Sequence, residues 1–188
     1  MALTLVGGVI GPNVDEITSP PSGVTTTGAY APQPLGTRVS GVDGTVYILV
    51  QAASTSAAMA SVKAPNAYAI LSTHRAKLVT SAQAAAGLAV GFAPPKVIAA
   101  HDYFWARVGG TGFTARVKAS ASAAKYLRTT TSAGRLGTAS TASAVVIPAV
   151  ITAVASASTS AGNSVRTIYA GTLAPLGTQP TSTTLNPP

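Results

Sequence analysis

His101 and Asp102 stand side by side, and a histidine oriented by a carboxylate is the commonest way a protein builds a general base. On an extended chain, however, adjacent side chains point to opposite faces, so the pair reads as a turn entering the segment that follows. The second histidine lies in Ser72-Thr73-His74-Arg75, which reads as an exposed turn. The acids are Asp15, Glu16, Asp43 and Asp102, so a carboxylate pair for glycosidic chemistry would have to come from distant segments. There is no cysteine, which removes thiolate nucleophiles, disulfides and cysteine metal sites together. Gly7-Gly8 and Gly109-Gly110 are not followed by a helix opening on Lys-Ser/Thr, and neither HExxH nor a nucleophile elbow occurs. The expectation is a protein that is not an enzyme and holds no cofactor or metal.

The residues with binding chemistry are concentrated in Asp102–Lys118, DYFWARVGGTGFTARVK. This stretch holds the single tryptophan and two of the three phenylalanines. Alternation puts Tyr103, Trp105 and Arg107 on one face and Phe104, Ala106 and Val108 on the other. The Gly109-Gly110-Thr111-Gly112 break predicts a β-hairpin. Tyr103, Trp105 and Arg107 have the types that stack on bases. They equally suit core packing or a subunit contact, where buried Trp and Tyr act as anchors. Only one such cluster exists, and Lys and Arg do not interleave with aromatics elsewhere, which favours the second use and makes nucleic acid an unfavoured partner.

The elements that must position these residues read as β-structure. Predicted strands cover Thr37–Ser40, Thr45–Gln51, Ala67–Leu71, Ala76–Thr80, Gly87–Phe92, Lys96–Ala99, Phe113–Ala119, Ser143–Ala155 and Ser164–Leu173, with a turn at Gly41–Gly44 and one or two helical turns near Ser81–Ala86. Short strands separated by Gly and Pro predict an all-β fold, a single β-barrel or β-sandwich over residues 36–174. Residues 1–35 carry Pro12, Pro20, Pro21, Pro32 and Pro34 and read as an extended N-terminal arm. Leu3, Leu5, Val6, Val9 and Ile10 give that arm something to bury, and with Tyr30 they are its candidate contact residues. Residues 175–188 read as a flexible Pro/Thr-rich tail.

Charged residues make up 9% of the 188-residue chain, far below the roughly 25% of an ordinary soluble domain. Such a surface suits a protein packed against neighbours, copies of itself among them. The charge is also lopsided. Residues 1–102 hold five basic and four acidic side chains, and residues 103–188 hold seven basic and none acidic. This asymmetry implies an anionic partner, which could be nucleic acid, a membrane surface or, the favoured one, an acidic protein face. The most apolar stretch, Ala142–Ala157, is too short to span a bilayer and is interrupted by Pro148, so no membrane role is expected.

Three segments resemble the decoration, or cement, proteins of tailed-bacteriophage heads. Leu35–Gln51 (LGTRVSGVDGTVYILVQ) has an opening Leu-Gly-Thr strand, a Gly-Asp-Gly turn and a Tyr-containing strand. Gly87–Gly110 (GLAVGFAPPKVIAAHDYFWARVGG) has Val90-Gly91-Phe92-Ala93, a break and a D-Y-x-W strand ending at glycine. Tyr126–Gly137 (YLRTTTSAGRLG) resembles a Leu-x-Thr-Thr-x-x-Ala-Gly-x-Leu hairpin. Pro94-Pro95 and Phe104 depart from the usual pattern. The resemblance covers roughly residues 35–137. It implies an all-β domain on the outer surface of a virion capsid, often a homotrimer, that bridges subunits of the major capsid protein and stabilises the head. Two readings of other classes stand beside it: a tail, fibre or adhesin-like component that binds a host surface, and a nucleic-acid-binding β-barrel.

Overall fold

The computed structural model describes residues 11–41, 44–53, 66–94, 96, 98–117, 126–138, 144–152 and 164–170. The candidate residues Leu3, Leu5, Val6, Val9 and Ile10 and the tail 175–188 lie outside them.

Two segments, TVYILVQA and DYFWARV, are apolar on both alternating positions, the pattern of strands buried on both faces. They form β3 (Val46–Ala52) and the first half of β7 (Tyr103–Val117), paired antiparallel from Val46↔Gly109 to Gln51↔Tyr103. Around them stand β4 (Ala67–Ile70), β5 (Arg75–Leu78) and β6 (Ala89–Phe92). The ladder runs β3–β7–β6–β4–β5 and returns to β3 through the parallel pair Gln51↔Arg75 and Ala52↔Ala76. The result is a closed five-stranded β-barrel with additional strands, an all-β fold.

A barrel of five strands is narrow, and the alanine-rich composition fits it. Inside, Tyr68, Phe104, Ile48, Val50, Ile70 and Ile98 are interleaved with Ala52, Ala76 and Ala106. Tyr68 and Phe104 meet with ring centroids 5.4 Å apart, tilted by 58°. Gly91 completes the fit, because a Cβ there would lie 3.1 Å from both the Ala106 Cβ and the Ile70 Cδ1.

The structure corrects the predicted hairpin. Gly109–Gly112 is not a turn: β7 runs through it as one strand of 15 residues. Its second half pairs antiparallel with β11 (Ser164–Ala170), from Val117↔Ser164 to Gly110↔Ala170. Both ladders shift register beside the glycines, at Val46/Tyr47 and at Ile168/Ala170. Glycines within a strand permit a sharp bend where side chains would collide. Gly110 has φ +114°, and a Cβ on it would fall 2.9 Å from the Thr45 Cα. Beyond the bend, β11 pairs with β10 (Val146–Thr152), β10 with β8 (Tyr126–Thr129), and β8 with β9 (Leu136–Gly137). The parallel pair Leu136↔Val117 returns this second ladder to β7.

A second core lies between the two ladders. Ala67, Ala69, Val90 and Phe92, from the outer faces of β4 and β6, pack against Ala115, Val117, Leu127, Leu136 and Ile147. The short helix α1 (Ser81–Ala85) adds Ala84. Its start is fixed by a capping box: the Thr80 side chain accepts from the Gln83 N–H, and Gln83 Oε1 accepts from the Thr80 N–H at 2.9 Å. The predicted strand at Lys96–Ala99 is not one in its described residues. Pro94 precedes it, and Asp102 takes the Ala99 N–H at 2.7 Å, so that amide is drawn into a turn.

Residues 11–35, expected as an arm, lie against the barrel in their described form. The strand β1 (Ile17–Thr18) pairs with Tyr103 and Phe104 of β7, and the strand β2 (Arg38–Ser40) pairs with β3. Ordered structure therefore begins well before Leu35.

Two expectations follow. Gly110→Ala forces a side chain into backbone at a positive φ and is expected to cost about 1–3 kcal/mol, measured by denaturant unfolding. A loss near zero would mean that the bend does not need glycine. Burial pushes the Tyr68 hydroxyl up to about 12, opposed in part by its hydrogen bond with Asn66. A raised folded-state value favours folding fully below the unfolded value near 10 and loses that contribution as pH rises through the folded one. Stability is expected to fall between about pH 10 and 12 by roughly 2–3 kcal/mol more in wild type than in Tyr68→Phe. Identical pH profiles for the two would contradict it.

Candidate interaction site

On the outer face of the barrel, Leu49 of β3 and Tyr103 and Trp105 of β7 form a third apolar cluster. Alternation places them there, opposite Phe104 and Ala106 in the barrel interior. Residues 11–35 form the roof, with Val14, Ala31 and Leu35 packed on the cluster from above and Val39 and Tyr47 from the side. Trp105 is 4% exposed and Tyr103 1%. Stacking either ring on a base would require lifting the segment away.

A polar clamp holds the roof down. Gln51 is 1% exposed, in the middle of an apolar strand. Its Oε1 accepts the Gly28 N–H at 3.3 Å, and its Nε2 donates to the His101 carbonyl and to the Tyr103 hydroxyl, each at 3.2 Å. The Tyr103 hydroxyl also accepts the Tyr30 N–H at 3.3 Å. Tyr30 therefore has a fixed backbone and a ring that is 53% exposed. One buried glutamine and one buried phenol thus tie the segment to the turn entering β7 and to the barrel wall. Satisfying all of these groups keeps the burial of a polar side chain from being costly.

Between roof and wall lies a cleft of ≈ 200 Å³. Leu49, Tyr103 and Trp105 line its floor, and Pro12 and Pro32 its sides. Asn13, Glu16, Thr18 and Gln33 supply polar groups around it. Among the described residues lining it, Glu16 is the one carboxylate.

Arg107, the third candidate on this face, is half-buried, and its Nη2 donates to Thr45 Oγ1 at 2.8 Å. Thr45 is the residue whose Cα crowds Gly110, so Arg107 braces the bend of β7. The other sequence candidates for chemistry are also structural. His101, at φ 70°, forms the turn into β7, and the Asp102 carboxylate binds the Ala99 amide. His74, at φ 56°, forms the β4–β5 turn, and its ring lies against Gly36. Among the described residues no three His, Cys, Asp or Glu side chains converge on a metal position. No described helix is long and apolar enough to cross a membrane.

Gln51 and the cleft residues Glu16 and Gln33 escape the sequence reading. The available signal was a glutamine in an otherwise apolar strand, which has to find buried partners. No family model, curated protein or solved structure matches the chain.

Gln51→Leu keeps the volume but strands the Gly28 amide and loosens the Tyr103 hydroxyl. It is expected to cost about 2 kcal/mol or more. Because Trp105 is the only tryptophan, its emission should move to longer wavelength if the roof lifts. Unchanged stability together with unchanged emission would show that the clamp does not hold the segment.

Proposed function

We propose that this chain is a non-enzymatic structural protein of a phage virion, which binds the lattice of the major capsid protein and stabilises the head. The observation that carries the reading is the combination of a doubly closed β-ladder with a surface almost devoid of catalytic groups. Closure removes the long edges through which sheets aggregate, as a protein displayed in many copies requires. The resemblance of residues 35–137 to head decoration proteins supplies the class of partner. A capsid presents the same site many times, so modest contacts by a self-associated protein, a trimer for example, add through multivalency. Apolar residues 3–10 lead directly into the segment roofing the barrel and are suited to reach a neighbouring subunit.

The test uses the full-length chain, because removing residues 11–35 would uncover Trp105 and confound binding with unfolding. Purified protein is sedimented with undecorated phage heads, wild type against a variant with Leu3, Leu5, Val6, Val9 and Ile10 replaced by Ser. Stoichiometric co-sedimentation that the variant loses by tenfold or more supports a head protein gripping through its N-terminus, since five buried apolar side chains contribute several kcal/mol in all. Equal binding by both proteins keeps the head role and removes the N-terminal grip. Absence of binding to heads, with binding to host cells instead, would replace this reading by a tail or fibre role.

A further inference from the structure

We propose that the outward face of β7, β9 and β8, built around Arg116, Arg128 and Arg135, is the surface on which this protein docks against an acidic face of its protein partner. For the partner's identity, though not for its chemistry, this rests on the head-binding reading above.

Three registers assemble the face. The parallel pair Val117↔Leu136 sets Arg116 beside Arg135, and Arg128 lies opposite Gly137, diagonal to Arg135. Neighbouring strands lie about 4.8 Å apart and diagonal cross-strand neighbours about 7–8 Å. The three arginines therefore rise from a patch about 12 Å across, two strand spacings wide and two residues long. Alternation confirms their direction. Ala115, Val117, Leu127, Thr129 and Leu136 are buried on the inner face, whereas Arg116, Arg128 and Arg135 are half-buried on the outer one. Tyr126, the next outward residue along β8, is 60% exposed.

Like charges held this close oppose one another. Burial, and then the Arg135 guanidinium, hold the Arg116 guanidinium below its ordinary value. No Asp or Glu follows Asp102, so the segments that carry these arginines contribute no carboxylate side chain of their own. Of the acids among the described residues, Asp102 is buried on the Ala99 amide, and Asp15 and Glu16 belong to the roof of the other ladder. Concentrating one sign of charge on one face is unfavourable in the isolated molecule and favourable against a complementary surface.

The arrangement favours carboxylates of a folded partner over a nucleic-acid backbone. Arginine forks pair bidentately with carboxylates at fixed positions. A phosphate track would call for cations in a line, whereas these form a compact triangle. Stacking would call for repeated exposed aromatics, and Tyr126 is the one exposed ring described on this face.

The test compares full-length wild type with R116Q/R128Q/R135Q, with R116K/R128K/R135K, and with R38Q/K77Q/K96Q, which loses equal charge outside the face. Binding to immobilised poly-L-glutamate, to a short DNA duplex and to undecorated heads is measured across a salt series. The expected result is about tenfold weaker binding to poly-L-glutamate and to heads for R116Q/R128Q/R135Q. The lysine variant, which keeps the charge but not the bidentate fork, is expected to bind more weakly than wild type and more tightly than R116Q/R128Q/R135Q, and R38Q/K77Q/K96Q to stay within about twofold of wild type. Equal losses in the two glutamine variants would overturn the inference in favour of net charge alone. Tighter, arginine-dependent binding to the duplex would overturn it in favour of nucleic acid. Heads bound equally by wild type and R116Q/R128Q/R135Q would sink the face and leave the head-binding reading standing. Heads bound by none of the proteins, with the poly-L-glutamate pattern intact, would sink the head-binding reading and leave the face.

Discussion

Because β7 belongs to both closed ladders, its shape sets theirs. Residues 103–109 pair with β3, residues 110–117 pair with β11, and the change of partner takes place across a few glycines. Had the chain turned back there, the second ladder would have lost the pairings of β7 with β11 and β9 and could not return on itself. The bend is steep enough that Gly110 touches the Thr45 backbone, and the Arg107–Thr45 hydrogen bond braces it from the side. Every other element is then placed by closure. β5 must run parallel to β3, and β9 parallel to β7, to complete rings that antiparallel hairpins alone would leave open.

This explains which parts of the molecule were legible in the chain. The two faces of Tyr103–Val108 follow from alternation, and the structure separates them as expected, Phe104 and Ala106 inward, Tyr103 and Trp105 outward. The short helix at Ser81, the β2–β3 pair and the strands near residues 67–92 are local patterns and also read correctly. The hairpin failed because a glycine run between alternating segments has the same short-range signature whether the chain reverses or bends. What decides between them is the arrival of β11 from residues 164–170, about 50 residues later in the sequence.

The sites were less legible for the same reason. The Gln51 side chain has three partners, from residues 28, 101 and 103, and Tyr103 in turn holds residue 30; none of these lies near Gln51 in sequence. Prolines in residues 11–35 do predict a non-helical course, but they do not reveal the apolar wall over which it is laid. Arg116, Arg128 and Arg135 are spread over 20 positions of sequence and meet only because β9 inserts between β7 and β8. A dispersed set of basic residues therefore carries little information until strand order is known.

Closure also limits how this molecule can meet another. Strand addition needs an open edge, and a ring of ladder hydrogen bonds offers none. Of the described strands, β1 and β2 each have one partner; β1 is two residues long, and β2 is three with Arg38 exposed, short edges of the kind that discourage pairing. Buried side chains occupy the barrel interior, and alanine and glycine narrow its bore. Contact must then use faces and chain ends. The roof of residues 11–35 covers the one aromatic face, so the outward face of the second ladder is where charge is free to accumulate. Because all Asp and Glu precede residue 103 and seven of the twelve basic residues follow it, most of the chain's excess positive charge falls in the half of the sequence that supplies the second ladder.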